Sequence, residues 1–286
     1  MRALLIVNPA AGKRTAEDGD LERAIALLRE AGFELDRVET TPETTSEDLA
    51  RRATLQGHDA CIVAGGDGTI APAAAALIGS KTVLGILPFG SVMNIAHGLG
   101  FPLAPVDAAR RIAEQRVHAI DAGEVNGEFF FEIVGVGLDA EMFGAARHAE
   151  RGSWRDALDR IRRWATHGTH VVRVTVDGEA HRHRVMQLVI FNGPYYGWSL
   201  PLAPAARMDD GKLDVAAFPR LGRLALIRAL FLLWRVRRLP VVPVRYTGKE
   251  IRVEADEPLS VHADGRVVGT LPVTIRCKPA ALRVFL

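Results

Sequence analysis

Cysteine is scarce. Cys61 and Cys277 are the only two in the chain, and they stand far apart without CxxC spacing, so neither a disulfide framework nor a thiolate zinc site is on offer and a reducing, cytoplasmic setting is expected. Excess charge is missing as well: 36 Lys and Arg face 34 Asp and Glu, a net charge of +2, which leaves no bulk field for holding nucleic acid. No apolar run approaches the roughly 20 residues that span a bilayer; the longest, Leu224 to Leu233, is interrupted by Arg228. Met1 to Val7 runs straight into Asn8-Pro9 with no basic leader or long apolar core, so no secretory signal is expected. Repeats and low-complexity tracts are absent. What remains is 286 residues, 48% apolar and 24% charged, the make-up of a soluble enzyme of two domains.

The first 120 residues alternate strand and helix. Ala3 to Val7 is a continuous apolar run; Leu21, Ala24, Ile25 and Leu28 then recur at helical spacing until Gly32. Phe33 to Val38 alternates as a strand, and Thr44 with Glu47 forms a capping box before a helix ending near Gln56. A strand over 60–64, a helix from Ile70 to Ile78 with Pro72 in its first turn, a strand over 83–87 and a helix from about Val92 continue the series. Strands apolar on both faces and separated by helices predict a covered parallel sheet, which binds ligands beyond its carboxyl strand ends.

After Asp121 the texture changes. Asn126-Gly127, Asp177-Gly178 and Asp264-Gly265 are two-residue hairpin turns between β-branched or aromatic residues, and Thr247-Gly248 is a weaker one. An antiparallel β domain is therefore expected over 123–280, behind an α/β domain over 1–122 on which 281–286 could pack back. Trp154 to Trp164 and Arg223 to Leu239 interrupt the β pattern as basic amphipathic segments. They suit peripheral association with an anionic membrane surface, or equally two helices docked on the β domain with arginines in water.

The chemistry concentrates in three turns at the sheet edge. Gly65-Gly66-Asp67-Gly68-Thr69 empties a buried strand into a turn whose glycines free the backbone to approach a polyphosphate, ahead of a helix N-terminus. A strand-to-helix turn needs glycine anyway, but it needs neither Asp67 nor Thr69. Asn8-Pro9-Ala10-Ala11-Gly12-Lys13 offers N–H groups and a lysine to phosphate or ribose. Pro88 to Asn94 adds Gly90, Ser91 and Asn94, with Ser91 as an alternative helix cap. Together they predict a nucleotide site. His181 and His183 share a strand face without an evident third metal ligand.

These motifs, with Gly135-Val136-Gly137-Leu138-Asp139-Ala140, Phe191-Asn192-Gly193 with Tyr196-Gly197, Ala203-Pro204 with Asp210 to Asp214, and Asp264-Gly265 ahead of Pro279 to Val284, run in order over nearly the whole chain. In this the chain resembles the diacylglycerol kinase catalytic-domain family of lipid kinases, which includes sphingosine and ceramide kinases and bacterial soluble lipid kinases. The Gly-Gly-Asp-Gly-Thr core alone is shared with NAD kinases and phosphofructokinases; the later series is the specific part. The resemblance implies a phosphofructokinase-like α/β domain and a β-sandwich domain with the active site between them. It further implies ATP and Mg²⁺ as cofactors and phosphoryl transfer to a diacylglycerol-like or sphingoid alcohol at a membrane surface. By motif position, Asp264 becomes the base, Asp67 the residue that handles Mg²⁺ and phosphate, and Asp210 and Asp214 a structural Mg²⁺ region; a plain hairpin aspartate is the alternative for Asp264 and a plain turn for Asp210 to Asp214. Asp139 lines the acceptor pocket or is a buried turn carboxylate.

Four residues in three motifs depart from the family pattern. Met93-Asn94 replaces Asn-Asp, Glu132 stands where many members have asparagine, and Asp264-Gly265-Arg266 replaces Asp-Gly-Glu. Arg266 is expected to lower the pKa of Asp264 by charge attraction, or to hold a phosphate. An NAD kinase, and a nucleotide- or lipid-binding relative without turnover, are the rival functions. The sequence leaves a homodimer open.

Overall fold

The computed structural model describes residues 1–11, 19–137, 168–196, 200–219 and 243–286. Gly12, Lys13, Asp139 and the two basic segments at 154–164 and 223–239 lie outside the described residues. Strands β1 (Arg2–Val7), β2 (Glu34–Glu39), β3 (Ala60–Gly65) and β4 (Val83–Pro88) pair in parallel in the order β2-β1-β3-β4. β3 and β4 are buried at every position, as continuous apolar strands covered on both faces must be. The covering helices are α1 (Asp20–Glu30), α2 (Ser46–Leu55), α3 (Asp67–Leu77), the short α4 (Asn94–Gly98) and α5 (Pro105–Ala113). α1 buries the expected Leu21, Ala24, Ile25 and Leu28.

Strand order fixes where a ligand can enter. From β1 the chain steps outward to β2, then returns past β1 to β3 and β4; with right-handed crossovers this puts α1 on one face and α2 and α3 on the other. The reversal leaves a crevice between the carboxyl ends of β1 and β3, where Asn8 and Gly65 begin the first two turns.

Several local expectations shift. The capping box belongs to Thr45 and Asp48: Thr45 Oγ1 accepts from Asp48 N at 3.2 Å, and Asp48 Oδ2 accepts from Thr45 N at 3.0 Å. Glu47 instead pairs with Arg51 across one turn. Thr45→Ala should therefore cost about 1 kcal/mol of stability, measured as a lower urea midpoint at unchanged slope. α3 starts at Asp67, three residues before the expected Ile70, because the Gly66 carbonyl accepts from both Thr69 N (2.8 Å) and Ile70 N (2.9 Å). Pro72 consequently sits inside the helix, where the Gly68 carbonyl lacks its N–H partner. The helix expected from about Val92 is cut to Asn94–Gly98 and followed by α5, which the sequence pattern did not signal.

The remaining strands are β5 (Val117–Val125), β6 (Glu128–Phe130), β7 (Ile133–Gly137), β8 (His170–Val176), β9 (Glu179–Val185), β10 (Gln187–Phe191), β11 (Leu213–Phe218), β12 (Val244–Gly248), β13 (Glu250–Ala255), β14 (Ser260–Ala263), β15 (Arg266–Thr270) and β16 (Val273–Phe285). Six of them form an antiparallel sheet, β12-β11-β10-β7-β14-β15. It packs against the β16-β13-β8 part of the larger sheet, with Val134, Val136, Leu188, Ile190, Val172, Val174, Ile251, Val253 and Ile275 in one shared core. This is a β sandwich. Asn126-Gly127, Asp177-Gly178 and Asp264-Gly265 each take positive φ at both residues, as two-residue hairpins require. Thr247-Gly248 does not make a hairpin: β12 lies in one sheet and β13 in the other, and the chain crosses between them at Lys249.

β16 joins the two halves. Its first part pairs with β13, its end lies parallel to β4 through Val284 and Leu84, and β5 runs antiparallel along its length. Among the described residues no helix is long and apolar enough to cross a membrane.

Candidate active site

The three glycine turns are tied together. Asn8 Nδ2 donates to Thr69 Oγ1 at 2.7 Å, and Asn8 Oδ1 accepts from Ala10 N at 2.9 Å, so the Asn8 amide lashes the first turn to the second. Phe89 N donates to the Gly65 carbonyl at 3.0 Å, and the second and third turns touch backbone to backbone: a Cβ on Gly90 would lie 2.5 Å from Gly66 Cα and 2.8 Å from Met93 Sδ. Gly90 is glycine because Gly66 leaves no room. Gly68 differs. Its backbone is helical and a Cβ there would meet nothing within 4 Å, so neither strain nor packing asks for glycine. Open space at a bare backbone, in the first turn of α3, fits a phosphate group laid against the N–H groups of that turn. Pro9 and the exposed Ser91 border the same edge.

Asp67 reaches forward from this turn. Its Oδ2 accepts from Asn94 N at 3.0 Å and its Oδ1 from Ile95 N at 3.3 Å, satisfying N–H groups that open α4. Neither Ser91 nor any other side chain caps α4 locally: the N-cap is Met93, in the left-handed region at φ 57°. Asp67 is the cap, from 27 residues away. Burial raises its pKa, against the N–H donors of Asn94, Ile95 and Met93 and the field of His97.

From α4 the path crosses to the β sandwich. Asn94 is buried, and its Nδ2 donates to Glu132 Oε2 at 2.7 Å. The backbone N–H of Glu132 donates to Asp264 Oδ1 at 3.0 Å, joined there by Ile133 N at 3.0 Å, while Phe131 N donates to Asp264 Oδ2 at 2.8 Å. The β14-β15 turn thus holds the Asp264 carboxylate against the start of β7, with Asp264 N returning a bond to the Ile133 carbonyl at 3.0 Å. Arg266 acts in the expected direction but is outweighed. Burial dominates and raises the pKa of Asp264; the three N–H donors oppose it, and Arg266 pulls downward as the weakest of the named causes. Arg266 Nη1 faces Glu128 at 3.8 Å.

Glu132 is strongly perturbed as well. Burial, then the charges of Asp264 and Asp67, hold its pKa well above the ordinary carboxylate value, against the hydrogen bond from Asn94. Among the described residues none of the three carboxyls has a salt-bridge partner. A raised carboxyl pKa in the folded state favours folding below the ordinary value of about 4 and loses that advantage as pH climbs through the raised one. The contribution of these three carboxyls to the stability of the ligand-free protein should therefore fall as pH rises above about 4. Glu132→Gln, which cannot ionise, should gain on the wild type as pH rises; parallel melting curves of the two proteins against pH would contradict the assignment.

The other expected residues are placed differently. Asp210 Oδ1 accepts from Lys212 N at 3.0 Å within its own turn, and Asp214 Oδ1 accepts from Thr247 Oγ1 at 2.8 Å across to β12. The loop is held instead by buried Asp121, whose Oδ2 accepts from Gly211 N at 2.6 Å and whose Oδ1 accepts from Ala280 N at 2.8 Å. Sequence reading used Asp121 only as a boundary marker, and a lone Asp in a strand carries no signal of such a role. Buried Asn192 likewise binds the Asp121 and Phe131 carbonyls at 3.2 and 3.0 Å. His181 stacks on Tyr246 and His183 Nε2 meets its hydroxyl at 2.9 Å, so both imidazoles close the sandwich edge. Among the described residues no three His, Cys, Asp or Glu side chains are gathered to hold a metal ion. Mg²⁺ in nucleotide sites commonly uses one or two carboxylates plus the substrate's phosphates, and Asp67 beside the glycine turn fits that limited role.

Residues 2–125 match the model of the diacylglycerol kinase catalytic domain and residues 132–286 that of the YegS C-terminal NAD kinase beta sandwich-like domain. A diacylglycerol kinase of Bacillus subtilis is 26% identical, with 95% of this chain and 91% of the relative aligned. A probable lipid kinase, YegS-like, of Pseudomonas aeruginosa is 29% identical over 100% of this chain and 94% of its own. The fold superposes on that of a diacylglycerol kinase from Bacillus anthracis with a TM-score of 0.77 at 22% identity, covering 99% and 96% of the two chains. Both halves match, in order, and the glycine turns and Asp264 fall inside the matched residues; the chain belongs to the diacylglycerol kinase-like lipid kinase family.

Proposed function

We propose that this protein uses ATP and Mg²⁺ to phosphorylate the hydroxyl of a diacylglycerol-like or sphingoid lipid. The observation that carries the reading is the continuous hydrogen-bonded path Asp67, Asn94, Glu132, Asp264, which sets a phosphate cradle and a buried carboxylate at one junction. Asn8, Pro9, Gly65 to Thr69, Gly90 and Ser91 would line the nucleotide side, with Asp67 next to the metal; bound Mg·ATP supplies the transferable phosphoryl group and screens its charge. Gly68 admits the phosphates, and the first N–H groups of α3 orient them.

Asp264 takes the acceptor proton. Oδ1 already accepts two N–H groups and Oδ2 only one, so with about two lone-pair sites per oxygen the proton is received at Oδ2. Burial makes that oxygen a stronger base than an exposed aspartate. Asp210 and Asp214 keep a separate proposed role as a structural cation region, distinct from transfer.

The likeness of residues 132–286 to an NAD kinase-type sandwich gives NAD as the competing acceptor. Purified protein with γ-labelled ATP, Mg²⁺ and vesicles of diacylglycerol or sphingosine should give organic-soluble label, and none in NAD offered separately. ATP binding without labelled lipid in any vesicle would overturn the reading.

A further inference from the structure

We propose that Glu132 is a positioning residue: its side-chain hydrogen bond to Asn94 is the strut that sets the nucleotide half against Asp264. The inference rests on the kinase reading, in which Glu132 is only one joint of the path, and gives that joint a role of its own. Glu132 makes two connections at once. Its carboxyl oxygen accepts from Asn94 Nδ2 at 2.7 Å, and its own N–H donates to Asp264 Oδ1 at 3.0 Å. Its carbonyl accepts from Asn192 N at 3.0 Å, and Asn192 is fully enclosed, so the backbone that carries the strut is pinned from behind. On the far side Asn94 begins α4, whose opening N–H groups rest on Asp67. Every joint from the glycine turn to Asp264 is a direct bond of 3.3 Å or less.

Such a path matters because transfer requires the donor phosphorus and the acceptor oxygen at near-contact distance. A displacement of about 1 Å costs on the order of 10²-fold in rate without weakening either substrate's binding. β16 and β5 join the halves through their backbones, at the sheet, and His97 of α4 lies against Tyr195; among the described residues, Asn94 to Glu132 is a side-chain link made beside Asp264.

An amide donating to a carboxyl works equally well with the partners exchanged. The test uses this symmetry. Glu132→Ala should lower kcat about 10²-fold while KM for ATP stays within roughly threefold. Glu132→Gln, whose amide oxygen can still accept from Asn94, should recover most of that loss. Asn94→Asp sets two carboxyls face to face and should fall as far as Glu132→Ala. Adding Glu132→Gln to Asn94→Asp restores an amide–acid pair in reverse and should restore most of the turnover. The strut is overturned if Glu132→Gln is as impaired as Glu132→Ala, if the double variant is no better than Asn94→Asp, or if Glu132→Ala raises KM for ATP as much as it lowers kcat. Wild-type turnover in the same assay judges the kinase reading separately. Were the wild type inactive, thermal unfolding of the four proteins would still test the bond: the double variant's midpoint should lie above the sum of the single shifts, and strict additivity would overturn the strut.

Discussion

Asp264→Asn should cut kcat by about 10²- to 10⁴-fold, the range attributed to a positioned general base, while leaving the Kd for Mg·ATP within a few-fold. The side chain keeps its shape but loses the oxygen proposed to receive the proton. It also sets an NH2 group against one of the N–H donors that now point at the carboxylate, Phe131 N at 2.8 Å being the one that faces Oδ2. That conflict should cost about 1–3 kcal/mol of stability, seen as a lower melting temperature. The two effects separate cleanly, since a protein that still binds ATP at 25 °C and stays folded there has lost turnover for a chemical reason. Full activity in Asp264→Asn would remove Asp264 from the chemistry, leaving it as the turn residue that fastens β14-β15 to β7.

Gly68→Ala is expected to separate binding from folding in the opposite sense. No protein atom lies within 4 Å of the added Cβ, and the backbone there is helical, so the folded state should be unharmed or stabilised by up to about 1 kcal/mol. The methyl group instead occupies the space assigned to a phosphate. Overpacking of about 1–3 kcal/mol corresponds to roughly 5- to 150-fold weaker ATP binding, measured by calorimetry with Mg²⁺. Gly90→Ala is the contrast: its Cβ would sit 2.5 Å from Gly66 Cα, so it should destabilise the fold and disturb binding together. If Gly68→Ala bound ATP as the wild type does, the phosphate would have to lie elsewhere on the sheet edge.

The site was legible where its chemistry is local. Gly65 to Thr69 declares itself because an aspartate and a threonine stand in a turn that needs only glycine, and Asn126-Gly127, Asp177-Gly178 and Asp264-Gly265 declare themselves because two consecutive positive φ values restrict the residues allowed. What was hidden depends on distance in the chain. Met93 adopts a left-handed conformation with no sequence signal, and the cap of α4 comes from Asp67. Asn94 and Glu132, 38 residues apart, meet only because β16 and β5 bring the halves together. Arg266 misled for the same reason: two positions from Asp264 it is conspicuous in sequence, but burial by β7 and the turn outweighs it. At Thr247-Gly248 the pattern of a turn was present while the partner strand lay in another sheet, which only the three-dimensional pairing decides.

In the proposed reaction the glycine turns and Asp264 serve one transfer, from ATP to a lipid hydroxyl. The most direct measurement places diacylglycerol vesicles and NAD in one tube with the wild-type chain, Mg²⁺ and γ-labelled ATP, and follows where the label goes. Label in the lipid phase, lost in Asp264→Asn and retained in Thr45→Ala, is the predicted result. Label in NAD, or equal lipid labelling by wild type and Asp264→Asn, would contradict it.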